Sequence, residues 1–378
     1  MNTLLELARF GQSYWLDDLS RPMIKSGELH RRVSEEGLTG VTVNPAIFRA
    51  AVDASDAYDR QIEELAAEPA NAIYEALLVT DVRNACDVLR PVHDRTQGRD
   101  GFVSLEVSPH LARNASASVA EARRFWQAVA RPNLFIKIPG TSEGVAAIEA
   151  LLAAGINVNI TLLFAVDRYV EVAGAYMSAL ERRKTAGEPL AGVASVASFF
   201  LSRIDTVVDE QLRQKIADGM PQAQRLLGKC AVANARLAYR RFRELSSSQR
   251  WRSLEAAGAR PQRLLWASTS TKNPAYDELM YVEPLIGPHT VTTLPRKTSA
   301  AFAAHGKAAA TLEQGEEEAA EIVGNLATAG IDLAAVTRAL LDEGIEKFVA
   351  AFDDVVQTIA AKTGRTARAA AEQRLGGQ

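Results

Sequence analysis

Cysteine is scarce: the 378 residues include only two, Cys86 and Cys230. Two distant thiols cannot make a disulfide framework, and neither belongs to a C-x-x-C metal pair. Histidine is nearly as sparse. His30, His93, His110, His289 and His305 show no H-x-x-x-H or H-E-x-x-H spacing, so no dedicated metal site is expected. No apolar run reaches the roughly 20 residues of a membrane span. The start, Met1-Asn2-Thr3-Leu4-Leu5-Glu6, lacks the basic region of a secretory signal. A cytoplasmic location without a membrane partner is the expectation. Neither sign of charge dominates: 43 Lys plus Arg against 46 Asp plus Glu give a net charge of −3. That excludes a basic footprint for nucleic acid. A P-loop signature is absent, and no G-x-G-x-x-G follows the first strand. Hydrophobic residues at 47% and charged residues at 24% exclude disordered and collagen-like chains.

What is present is an alternation. Short β-rich runs fall at Tyr14–Leu19, Gly40–Asn44, Phe102–Val107, Leu134–Ile138, Asn157–Phe164, Val193–Phe200, Arg263–Ser268 and Thr290–Leu294. Helical patterns lie between them, among them Ala115–Ala130, Glu143–Ala154, Asp167–Lys184 and Ile204–Leu245, the last long enough for more than one helix. Strands spaced by helices argue for parallel βαβ units. Eight such units with right-handed crossovers can close into a (β/α)8 TIM barrel. From Thr311 onward the pattern is helical and strand-free, with Gly330 separating two helices. The expected organisation is one domain, 1–378: a barrel over 12–310, helices packed on it over 311–364, and a flexible tail over 365–378.

Alternation along a strand sorts side chains into two faces. Thr42 and Asn44 share a face, as do Ser104 and Glu106, and Asn157, Asn159 and Thr161. Lys137 shares a face with Phe135, opposite Leu134, Ile136 and Ile138. In a barrel the apolar faces meet the helices and the polar faces point inward, with their C-terminal ends at the mouth where barrel enzymes work. Enclosed polar and charged groups are costly unless paired or functional. The bland alternative is a set of solvent-facing strands.

Only ten lysines occur, and most have polar neighbours. Lys137 sits instead within Leu-Phe-Ile-Lys-Ile-Pro. Its structural reading is a buried lysine paired with Glu106 or Asp17, an arrangement of weak stability benefit. Its functional reading is a nucleophilic amine, since desolvation and cationic neighbours can deprotonate such a group for Schiff-base formation. Asp17 and Asp18 are adjacent and must face opposite ways. Asp17 shares the face of Trp15 and is the expected partner, unless a bulge reverses the order.

These runs resemble one family. Leu134–Gly144 (LFIKIPGTSEG) is similar to the Schiff-base lysine strand of transaldolases, and Ile156–Phe164 (INVNITLLF) to their next strand. Val41–Pro45, Val103–Val107 and Ser198–Arg203 resemble the second, third and sixth strands. Trp15–Arg21 (WLDDLSR) is similar to the longer actinobacterial and cyanobacterial type. The resemblance implies transfer of a dihydroxyacetone unit from sedoheptulose 7-phosphate to glyceraldehyde 3-phosphate, in the pentose phosphate pathway, with no cofactor. Lys137 would be the nucleophile, Asp17 the acid/base for the carbon–carbon bond, and Glu106 with Thr161 the holders of a catalytic water. Asn44, Asn159 and Ser198 would bind substrate hydroxyls, and Arg203 the phosphate. After the seventh strand the pattern departs: Ser268 aligns, and Lys272 stands where relatives often carry arginine. The partners implied are small sugar phosphates, not nucleic acid or membrane, and the oligomeric state is left open. Rival readings are another Schiff-base aldolase, such as a fructose-6-phosphate aldolase, and a non-catalytic sugar-phosphate-binding barrel. Phe200, an apolar ring where a tyrosine could position water, favours transfer over hydrolytic release; ordinary core packing explains it equally well.

Overall fold

The computed structural model describes the backbone of residues 2–376 and side chains to residue 364. Eight parallel strands close into a barrel in sequential order: β1 (Gln12–Leu16), β2 (Leu38–Thr42), β3 (Phe102–Glu106), β4 (Leu134–Pro139), β5 (Val158–Leu163), β6 (Ser195–Phe200), β7 (Arg263–Ala267) and β8 (Thr290–Leu294). β1 closes the ring on β8, from Gln12 opposite Thr290 to Leu16 opposite Leu294. All eight expected strands are present, with ends shifted by no more than three residues. The run expected over Ile204–Leu245 divides into helices Ser202–Ala217 and Cys230–Ser246, with a 3-10 turn Pro221–Leu226 between them. Gly330, at φ 78°, separates the helix Glu316–Thr328 from a terminal helix Leu333–Gly376. The expected flexible tail rests on residues whose side chains lie outside the described set. No single helix among the described residues is long and apolar enough to cross a membrane.

The strand alternation builds the interior in layers. At the N-terminal end, the Arg263 guanidinium donates to Ser13 Oγ at 2.7 Å and to Asp100 Oδ1 at 2.9 Å. Above lie three rings. Phe102 and Phe135 have centroids 4.2 Å apart, and Trp15 is 6.4 and 6.0 Å from them. Next comes a polar chain in which Ser198 Oγ donates to Asn159 Oδ1 (2.7 Å) and Asn159 Nδ2 to Ser104 Oγ (3.0 Å). The opposite faces (Val41, Val103, Leu105, Ile136, Ile138, Val158 and Ile160) are wholly buried under the helices. Burial of apolar surface at roughly 25 cal/mol per Å² drives this closure.

Gly40 faces the Trp15 ring, and a Cβ built there would lie 2.5 Å from it. The indole leaves no room for a methyl group. Gly40→Ala should therefore lower unfolding free energy by about 1–3 kcal/mol through overpacking, measured by urea denaturation. An unchanged midpoint would mean that the aromatic layer relaxes freely.

Candidate active site

The C-terminal strand ends open into a cavity of about 370 Å³. Lys137, Asp17 and Thr161 border it, as do Asn44, Ser198, Arg203, Ser268 and Lys272. Eight of the ten residues singled out from sequence thus converge on one space. Glu106 and Asn159 are not on its wall. Glu106 is bonded to Lys137, and both amide atoms of Asn159 are occupied within the Ser198–Asn159–Ser104 chain. Asn44 is divided between two duties. Its Oδ1 caps the helix Pro45–Asp53 by accepting from Ile47 N at 3.0 Å, while the residue lines the cavity.

Register places the charged groups. Glu106 pairs with Lys137 across β3–β4, Lys137 with Asn159 across β4–β5, and Pro139 with Thr161 one step higher. Lys137 Nζ lies 3.2 Å from Glu106 Oε2, with side chains only 6% and 4% exposed. Asp17 is partly buried on the cavity wall, and its Oδ1 accepts from Thr42 Oγ1 at 2.7 Å. Burial pushes the carboxyls of Asp17 and Glu106 above the ordinary carboxylate range, opposed in each case by the Lys137 charge. Glu106 Oε1 and Thr161 Oγ1 are buried with no hydrogen-bond partner among the described residues.

The Asp17–Asp18 alternative resolves geometrically. β1 does shift register against β2 between Tyr14 and Trp15, yet Trp15 remains inside and Asp17 follows it on the same face. Asp18 turns outward to an ion pair with Arg296. A second irregularity interrupts β5–β6 pairing between Ile160 and Leu163, where Leu162 has φ 58°. This bulge lies immediately after Thr161, and such features commonly re-aim side chains near active sites.

A cationic corner occupies another part of the cavity. Arg203, in the first turn of the helix Ser202–Ala217, has no ion pair among the described residues, and its guanidinium stands 5.6 Å from the Phe200 ring centroid. Burial, and then the nearby Arg203 charge, hold the Lys272 amine below its ordinary value; burial likewise lowers Arg203. Ser202 and Ser268 hydroxyls meet at 2.9 Å, and Lys272 Nζ donates to Ser270 Oγ at 2.8 Å. Two cations facing one space, with the Arg203 charge disfavouring that of Lys272, suit a phosphate. Thr269, next to Ser268, is fully buried and donates to Thr293 O at 2.8 Å.

Sequence reasoning left open what covers the mouth and did not single out Phe348. The terminal helix crosses the mouth and places the Phe348 ring 5.7 Å from Lys137 Nζ. It is fixed beside the cavity by Phe352, whose ring meets Tyr74 edge-on at 5.1 Å, and farther along by Lys362, 2.7 Å from Asp59. Gly344 lets the helix approach closely: a Cβ there would lie 2.9 Å from Leu162 Cδ2. The only sequence signal was an amphipathic period containing Phe348, which marks a buried face without saying what it covers.

A buried amine flanked by two carboxyls, with a cationic corner across the same cavity, defines a class: a (β/α)8 barrel equipped for imine chemistry on phosphorylated carbonyl compounds. The chain matches the family model described as transaldolase/fructose-6-phosphate aldolase over residues 14–359, and it belongs to that family. It is 46% identical over 372 residues to Transaldolase 2 of Nostoc sp., covering 96% of this chain and 98% of that protein. Transaldolases of Thiobacillus denitrificans and Mycobacterium bovis are each 46% identical, over 361 and 358 residues, covering 95% and 94% of this chain and 100% and 95% of those proteins.

If the Phe348 ring shields the amine, Phe348→Ala should raise acetylation of Lys137 by acetic anhydride several-fold at neutral pH, read by peptide mass analysis. Equal labelling in both proteins would remove the ring from any shielding role.

Proposed function

We propose that this protein is a transaldolase, moving a dihydroxyacetone unit from sedoheptulose 7-phosphate to glyceraldehyde 3-phosphate to give erythrose 4-phosphate and fructose 6-phosphate. The observation that carries the reading is Lys137, a buried amine 3.2 Å from Glu106 at the mouth of the barrel. The names of the relatives support transfer within a family that also includes aldolases. The two apolar rings that border the cavity beside the amine, Phe200 and Phe348, support it as well.

Lys137 Nζ adds to the ketose C2 carbonyl. The resulting carbinolamine loses water to give an iminium ion, with Glu106 and Thr161 relaying the protons. Their unpartnered Oε1 and Oγ1 atoms suit a shared water. Asp17 then removes the C4 hydroxyl proton. The C3–C4 bond breaks, its electrons pass into the iminium, and the aldose leaves. The enamine left on Lys137 attacks the acceptor aldehyde while Asp17 returns the proton, and hydrolysis frees the amine. One ammonium between two carboxyls permits this division of proton transfers. Arg203 and Lys272 hold the phosphate, with Ser268 beside them. Asn44 and Ser198 bind substrate hydroxyls; Asn159 acts there through its bond to Ser198.

Fructose 6-phosphate with borohydride tests the reading. A reduced three-carbon adduct on Lys137, and turnover that requires an aldehyde acceptor, are expected. Acceptor-independent release of dihydroxyacetone would make the protein an aldolase instead. Lys137→Ala should abolish the adduct yet remain folded, because Glu106 and Asp17 can take up protons when the ammonium is lost. Gross unfolding by circular dichroism would show a purely structural lysine.

The base form of Asp17 is needed for cleavage, and its proton is held to higher pH than in an ordinary carboxyl. The acid limb of the cleavage rate should therefore lie above the usual aspartate range. The Thr42 bond lowers that pKa, so Thr42→Val should move the limb further up. A downward shift would assign the limb to another group. Asp17→Asn should cost about 10²–10⁴-fold in kcat, whereas Asp18→Asn should cost little.

A further inference from the structure

The opposite end of the barrel holds a second cavity, of about 290 Å³, close to the lower limit of roughly 300 Å³ usual for small-molecule pockets. It shares no lining residue with the C-terminal mouth. Its floor is apolar, made by Phe102, Phe135 and Val196. Its other side is lined by Arg99, Arg260 and Arg263, with His289 beside them, and Arg99 Nη2 also donates to Gly11 O at 3.4 Å. No carboxylate lines it. Asp100 lies alongside and pairs with Arg263 at 2.9 Å, while Arg99 and Arg260 have no ion pair among the described residues. Three guanidinium charges less one carboxylate leave an excess of about two positive charges, the complement of a phosphate monoester near neutrality. His289 reports the same field: burial first, then Arg99 and Arg263, push its imidazole below the usual histidine range, with Glu255 acting against them. A barrel floor needs packing, and the aromatic layer and the Arg263–Asp100–Ser13 plug already supply it. Neither packing nor the plug requires Arg99 and Arg260 to converge on an open space.

We propose that this N-terminal cavity is a second ligand site, for an organic phosphate whose apolar body rests on the Phe102–Phe135 floor while its phosphate is held by Arg99 and Arg260 in the field of Arg263. The floor belongs to β3 and β4, the strands that carry Glu106 and Lys137 at their other ends, so the occupant bears on the two strands that hold the reactive amine.

Phenyl phosphate is the probe, titrated calorimetrically into the full chain as wild type, Arg260→Gln and Arg203→Ala. Binding that persists in Arg203→Ala and weakens roughly tenfold or more in Arg260→Gln is the expected result, with inorganic phosphate binding more weakly than the phenyl ester. The His289 ring, followed by NMR, should titrate at higher pH when the site is filled, because the ligand's negative charge offsets Arg99 and Arg263. Arg260→Gln should keep its turnover of sugar phosphates. Arg99→Gln, at an exposed position, repeats the affinity measurement should Arg260→Gln fold poorly. Binding that vanishes in Arg203→Ala and is untouched by Arg260→Gln and Arg99→Gln would place all phosphate affinity at the other mouth and overturn the proposal. Equal affinity for phosphate and its phenyl ester would overturn the assignment of the apolar floor.

Discussion

An ammonium group held out of water against two carboxyls is the constraint around which this molecule is organised. Removing Lys137 and Glu106 from solvent costs several kcal/mol per ion, and their mutual attraction offsets this only in good geometry. The barrel supplies that geometry through register. Glu106 and Lys137 are direct neighbours across β3–β4, so their approach is fixed by strand pairing and not by long flexible loops. Asp17 arrives from the end of β1, two strands round the ring from β3, and is tethered by Thr42 of β2 between them. Because burial raises the pKa of both carboxyls, the cluster can shed negative charge by holding a proton. That is the property a proton-transferring site needs.

The remaining interior makes such a cluster tolerable. Below it, the Ser198–Asn159–Ser104 chain gives hydroxyl and amide dipoles mutual partners, so few polar atoms are left unsatisfied in that layer. Beneath that, three aromatic rings fill the section where a water channel would otherwise join the two ends. Above, the terminal helix brings Phe348 over the amine. The helix is held at several separate points, including Tyr74 and Asp59. Its position over the mouth therefore does not depend on any single contact, and the mouth stays narrow while the barrel stays rigid.

Much of this was legible because strand period is a strict rule. Once Phe135 and Lys137 share a face, and Ser104 shares one with Glu106, closing the sheet brings their polar ends to one mouth. Asp17 could be preferred to Asp18 on the same grounds. What was not legible depends on register and on distant segments. The bulges beside Trp15 and Leu162 have no residue signature here, since neither involves a glycine in the left-handed region. Asn159 and Thr161 share a face, and the period cannot tell that one rung separates an amide bonded within the barrel from a hydroxyl on the cavity wall. Phe348 lies about 200 residues from Lys137 in sequence, and an amphipathic helix does not name its partner. Arg263 resembled an ordinary strand end until Asp100 and Ser13 were placed beside it.

The two apolar rings at the mouth bear on the choice between transfer and hydrolysis. After carbon–carbon cleavage, a lysine-bound enamine has two fates: attack on an acceptor aldehyde, or protonation followed by loss to water. Both fates end in hydrolysis of an imine, but the second also needs a proton donor beside the nucleophilic carbon. Phe200 and Phe348 cannot supply one, and Glu106 lies off the cavity wall, bonded to the amine. Asp17 remains as the group poised to serve the acceptor oxygen as it becomes a hydroxyl. The same burial that makes the amine costly to keep thus removes the means of discarding the three-carbon unit. On the transaldolase reading, transfer follows from what the mouth excludes as much as from what it contains.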